Sequence, residues 1–189
     1  MKILSSIKEI SNIRYFSNVS RGIKPFLLDE LNNIYIKKNI LAVLEDNNQI
    51  NQYYELFKNY FKEKNILKFP SWDSIPYEEV SPSQNILNER FISLNSSQKK
   101  NNRNEAFLLL TNLDALMQLV PNKLFLKNNR FSLEVKQSMS LEKLNSNLND
   151  IGYEKVSIVL EPYEYAVRGG IIDVWPIGEE YPIRIDFFG

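Results

Sequence analysis

Cysteine and histidine are both missing from this sequence of 189 residues. Without cysteine there is no thiolate nucleophile, no disulfide and no thiolate zinc site. Without histidine, the side chain that most often moves protons near neutral pH is gone as well. Any catalysis would fall to carboxylates, lysines, tyrosines or hydroxyls. An excess of charge is missing too: Lys plus Arg and Asp plus Glu number 23 each, for a formal charge of zero. A domain that holds DNA by neutralising phosphates ordinarily carries a basic excess, so bulk charge argues against a main DNA grip here. No apolar run approaches the roughly 18–20 residues of a membrane span. The opening residues from Met1 to Glu9 interrupt their apolar side chains with charge, unlike a signal peptide. A cytoplasmic location with no membrane partner is expected.

What the chain does contain is material for a core, with 43% hydrophobic and 12% aromatic residues. Ile40–Leu44 is continuously apolar, as expected of a strand covered on both faces. Asp46 or Asn47 can cap a following helix, whose Ile50, Tyr53, Tyr54, Phe57, Tyr60 and Phe61 recur at helical spacing. Ile66–Phe69 reads as a second strand ended by Pro70, and Ser83–Leu94 as a helix. Ser96–Asn104 reads as a solvated loop and Phe107–Leu110 as a third strand. A helix carrying Leu113, Leu116, Met117 and Val120 follows, stopped by Pro121. Ile3–Ile10 and Pro25–Ile36 look helical. Strands alternating with helices imply a parallel α/β sheet, expected over residues 1–126.

The pattern changes near Lys127. Phe131, Leu133 and Val135 alternate with polar residues, the signature of a half-buried strand. Ser140 can cap a helix with Leu141, Leu144, Leu148 and Ile151 inward, and Gly152 is a natural stop. Strand-like segments follow at Tyr153–Leu160, Gly170–Trp175 and Ile183–Phe188. A second, α+β domain is therefore expected over residues 127–189. It is expected to be truncated, because the chain stops at Gly189 directly after a strand.

A parallel sheet invites a search for the phosphate loop G-x-x-x-x-G-K-[ST]. The best alignment puts Ser17 and Gly22 at the glycines, Ile23 at the lysine and Lys24 at the hydroxyl. No lysine in register would reach the phosphates and no hydroxyl would ligate magnesium. The expectation is a decayed loop and no cofactor, metal or catalytic residue in this chain. The pairs Glu78-Glu79 and Glu179-Glu180 read as solvated loops, and Asp114 and Asp173 as lone acids without metal-ligand spacing.

Two stretches carry more than composition. One runs Phe69-Pro70-Ser71-Trp72-Asp73-Ser74-Ile75-Pro76-Tyr77-Glu78-Glu79-Val80-Ser81-Pro82 and leads to Asn88-Glu89-Arg90-Phe91. The other runs Glu164-Tyr165-Ala166-Val167-Arg168-Gly169-Gly170-Ile171-Ile172-Asp173-Val174-Trp175-Pro176, then Pro182 to Gly189. Together they resemble the N-terminal region of the bacterial transcription-repair coupling factors (Mfd), over nearly the whole chain and in order. The resemblance implies a degenerate RecA-like domain, like the first domain of UvrB with its ATP site decayed, followed by a small domain that recruits the damage sensor UvrA. It also implies a parent protein with ATP- and Mg-dependent DNA translocase domains, acting on RNA polymerase stalled on double-stranded DNA. The partner-contacting residues of the family fall here on Arg168, Arg184 and Phe188. The rival readings are the start of a UvrB-like excision-repair helicase subunit and a DNA-binding module.

Strand alternation supports that choice separately. Ile183, Ile185 and Phe187 share one face and Arg184, Asp186 and Phe188 the other, so an aromatic stands outward beside an arginine. Gly169-Gly170 can re-aim Arg168 through a turn or bulge. The plainer alternative pairs Arg184 with Asp173 or Asp186 and covers Phe188. Trp72 and its neighbouring prolines read as a rigid loop pinned by a buried indole.

Overall fold

Short apolar segments pair into a parallel sheet because each can bury its side chains only against a neighbour. In the computed structural model the described residues are 19–20, 22–34, 38–60, 65–74, 80–122, 124, 132–135 and 137–187. The expected helix at Ile3–Ile10, the loop residues Ser17, Tyr77, Glu78 and Glu79, and Phe131 and Phe188 lie outside them. Strands β1 (Ile40–Leu44), β2 (Asn65–Phe69) and β3 (Phe107–Asn112) run parallel in the order β1-β3-β2. Helix α1 (Lys24–Ile34) precedes β1, and α2 (Asn47–Tyr60) connects β1 to β2. Asp46 caps α2 by accepting the Gln49 N–H at 2.7 Å. Ile50, Tyr53 and Phe57, spaced to share one helical face, are fully buried with Leu108 and Leu110 of β3. Burial of Ile50 or Phe57 contributes about 1.5–3 kcal/mol each relative to exposure.

Three expectations for this half change. β1 is covered on one face only: Leu41 and Val43 stand half-exposed, because β1 is an edge strand and the core cluster holds only Ile40, Ala42 and Leu44 from it. The segment Ser96–Asn104 is not a loop, since helix α3 runs unbroken from Gln84 to Arg103. Its second half needs no apolar stripe, because Gln, Lys and Arg favour helix on their own. Lys100 and Arg103 complement the C-terminal dipole, and Asn104 ends the helix in the left-handed region at φ 59°. Helix α4 stops at Met117, spanning only Leu113–Met117, and it buries Ala115 while Leu113, Leu116, Met117 and Val120 stay exposed.

The second sheet has four strands in the order β4-β5-β6-β7: Glu154–Lys155, Glu164–Arg168, Ile171–Val174 and Ile183–Asp186. β4 pairs with β5 in parallel and the other pairs are antiparallel. Helix α5 (Leu141–Asp150) covers it, capped by Ser140, whose hydroxyl accepts the Lys143 N–H at 3.2 Å. Gly152, at φ 90°, lets the Tyr153 N–H return to the Leu148 carbonyl and close the helix. Leu144, Leu148, Tyr153, Tyr165, Ile172 and Val174 form the core. The strand expected around Leu133–Val135 is absent among the described residues there, where Val135 is 95% exposed. Only Glu154–Lys155 of the strand expected at Tyr153–Leu160 is realised. The hydrogen-bonded place beside β6 goes to Glu164–Arg168, a segment expected as a motif and not as a strand.

Candidate functional site

The outer face of the second sheet is set by its register. Tyr165, Val174 and Ile183 stand across from one another, as do Val167, Ile172 and Ile185, on the side facing α5. The intervening positions, Ala166, Asp173 and Arg184 in one row and Arg168, Ile171 and Asp186 in the next, take the opposite face. The expected inward set is realised for Ile185 and Phe187, which pack on the core, whereas Ile183 at the sheet edge is 47% exposed. Arg168 and Arg184 thus share one exposed face, brought there by the two-residue turn at Gly169-Gly170, where Gly169 takes φ 58°. Phe188, the third expected contact residue, is outside the described residues.

The two arginines are held differently. Arg184 donates from Nε to Asp173 Oδ1 at 2.6 Å and from Nη2 to Asp173 Oδ2 at 2.9 Å, a bidentate pair across β6 and β7. Asp173 is therefore not a lone acid, and the cross-strand alternative for Arg184 is realised. The Arg184 hydrogen bond holds the Asp173 carboxyl below its ordinary 3.8, with the nearby charges of Arg184 and Arg168 acting in the same direction. The same bond raises Arg184 above its ordinary value. Pairing through Nε and Nη2 commits two donors of the guanidinium to Asp173. Arg168 donates from Nη2 to the Ser157 carbonyl at 2.7 Å, an exposed contact that steers its side chain along the loop after β4.

At the C-terminal ends of the first sheet, where ligands settle on many parallel sheets, the side chains bind one another. Asn47 Oδ1 accepts from the Ser71 N–H at 2.9 Å, the Ser71 hydroxyl at 3.1 Å and Asn112 Nδ2 at 2.9 Å. Asn112 Oδ1 in turn accepts the Ala115 N–H at 2.8 Å, capping α4. Gly22 and Ile23 form a turn leading into α1 at Lys24, with all three exposed.

Beside this network lies a buried arginine that the sequence does not single out. Arg90, 4% exposed, donates from Nη1 to the Pro70 carbonyl at 2.6 Å and to Gln118 Oε1 at 3.0 Å. Its guanidinium lies 4.1 Å from the Phe69 ring centre and 5.6 Å from that of Trp72. Burial pushes it down to about 10, still charged at neutral pH. Trp72 is 38% exposed, and not the buried indole expected. No signal in the sequence singles out Arg90 beyond its place in Asn88-Glu89-Arg90-Phe91. Among the described residues, no cluster of acidic side chains could hold a metal ion, and no helix is long and apolar enough to cross a membrane.

Residues 131–189 match the family described as the UvrB interaction domain. The chain is 34% identical to the transcription-repair-coupling factor of Haemophilus influenzae over 66% of its length, and 31% identical to that of Escherichia coli over 68%. It is 28% identical to the corresponding protein of Borreliella burgdorferi over 86% of its length. The chain spans 11% to 14% of the length of these relatives.

Proposed function

Since the chain is a homologue of the transcription-repair-coupling factors and carries a UvrB interaction domain, we propose that it is a recruitment module which docks the damage sensor UvrA. Docking would use the outer face of the second sheet, through Arg168, Arg184 and Phe188. The observation that carries the proposal is the placement of Arg168 and Arg184 on one exposed face of the segment matching the interaction domain. A planar guanidinium already fixed by Asp173 loses little freedom on meeting a partner carboxylate, which favours recognition there.

The proposal includes a division of labour. Residues 1–126 form a degenerate RecA-like domain without a working phosphate loop at Ser17, Gly22, Ile23 and Lys24, and residues 127–189 form the docking domain. In the longer protein, ATP and Mg would belong to motor domains elsewhere, which act as a DNA translocase on RNA polymerase stalled at lesions. This chain itself supplies no catalytic step in that scheme.

The test is binding of purified UvrA to Arg168→Ala and Arg184→Ala variants, with Glu142→Ala on α5 as control. Each arginine variant should weaken binding by about thirtyfold or more while the circular dichroism spectrum stays unchanged. Wild-type affinity in both variants would remove the docking face from consideration.

A further inference from the structure

The turn between β6 and β7 is seated on helix α3, some ninety residues earlier in the chain. Asn88, 7% exposed, meets it with both ends of its amide. Its Oδ1 accepts the Gly178 N–H at 2.6 Å and its Nδ2 donates to the Glu179 carbonyl at 3.1 Å. The turn is braced from its own side as well: Trp175 Nε1 donates to that same Glu179 carbonyl at 3.2 Å, and the Ile177 N–H donates to the Tyr153 hydroxyl at 3.0 Å. Gly178 adopts φ 83°, and a Cβ built on it would come within 2.7 Å of Asn95 Nδ2 and 3.8 Å of Phe91. Asn88, Phe91 and Asn95 share one face of α3 by their spacing. A donor, an acceptor and a Cβ-free backbone therefore converge on one helical face. Alongside lies a cavity of about 730 Å³, bounded by Lys68 and Lys100 on the first-sheet side and by Trp175 and Glu180 on the other.

We infer that Asn88 is the positioning residue that fixes the second sheet in a single orientation on the first, with Gly178 as its counterpart. The amide supplies direction that apolar contact alone would not: turning the sheet about this point breaks both hydrogen bonds and leaves a buried amide unpaired. The cavity lies directly beside the clasp, lined by Asn88 itself. Because the β6–β7 turn leads straight into β7, the clasp sets how the outer face is presented relative to the first sheet. The inference concerns this geometry alone and stands whether or not that face binds UvrA.

The absence of native cysteine makes the test direct. Spin labels at Asp114→Cys and Glu142→Cys, exposed positions on either side of the clasp, report the separation of the two sheets by pulsed dipolar spectroscopy. The otherwise native chain should give one narrow distance. Asn88→Ala and Gly178→Ala should each broaden or split it, and the double variant should add nothing further, since both remove the same contact. Asn88→Asp keeps the acceptor for Gly178 but sets a carboxylate oxygen against the Glu179 carbonyl, so it too should broaden the distribution. If Asn88→Ala fails to fold, Gly178→Ala and Asn88→Asp carry the test. A distribution already broad in the native chain, or one left narrow by folded clasp variants, would overturn the inference.

Discussion

Arg90 is held by a carbonyl, a side-chain amide and two aromatic faces, with no described carboxylate beside it. Such a group is expensive to bury and more expensive to lose, because its acceptors would be left dry. Arg90→Met fills similar volume without donors. It should destabilise the chain by about 2–4 kcal/mol, seen in thermal unfolding as a fall in Tm of about 5–15 °C. An unchanged Tm would show that Pro70 and Gln118 find water instead. None of this was legible beforehand, since an arginine amid polar helix residues reads as solvated until a fold puts Phe69 and Trp72 over it. The side of the sheet taken by Arg184 was legible by contrast, because strand alternation along Ile183–Phe188 gives it, whereas Arg168 stood in a segment expected as a motif and not as a strand. What alternation could not give was the choice between open display and pairing with Asp173, which depends on register across a turn.

Elements were readable where local chemistry and tertiary demand agree. The apolar runs of β1, β2 and β3, the stripe on α2, and the Ser140 and Gly152 boundaries of α5 all follow that rule. They were misread where the two diverge. The polar half of α3 has no stripe to find, and the apolar alternation at Leu133–Val135 forms no strand among the described residues. Helix α5 offers the sharper check on boundary chemistry. Ser140→Ala removes the acceptor for Lys143 N–H and should cost about 1 kcal/mol, read from the midpoint of urea unfolding. Gly152→Ala forces a side chain into φ 90° and should cost at least about 1 kcal/mol. If both midpoints stay in place, the ends of α5 are held by packing and not by their caps.

For the molecule as a whole, zero formal charge sets the expected behaviour toward nucleic acid. Arg168 and Arg184 sit among Asp173 and Asp186, so even the cationic face is interrupted by acids. Duplex DNA should bind no tighter than about 1 μM at physiological salt, with a shallow salt dependence, measurable by fluorescence anisotropy. Tight binding with a steep salt slope would revive the DNA-binding reading. Charge balance was plain from composition, but the distribution of charge over the sheet depended on register.

The strand order of the first sheet also has a bearing on how the chain is made. Among the described residues, β1 and β2 each pair with β3, which lies between them and comes last of the three in sequence. A nascent chain leaving the ribosome therefore exposes both outer strands before their common partner exists. The wait lasts until residue 112 has cleared the exit tunnel, and synthesis at roughly 5–20 residues per second makes it a matter of seconds. Over that interval Ile40, Leu44 and Leu67 are open to other chains, so slowed translation between β2 and β3 would raise the yield of aggregates without altering a single native contact.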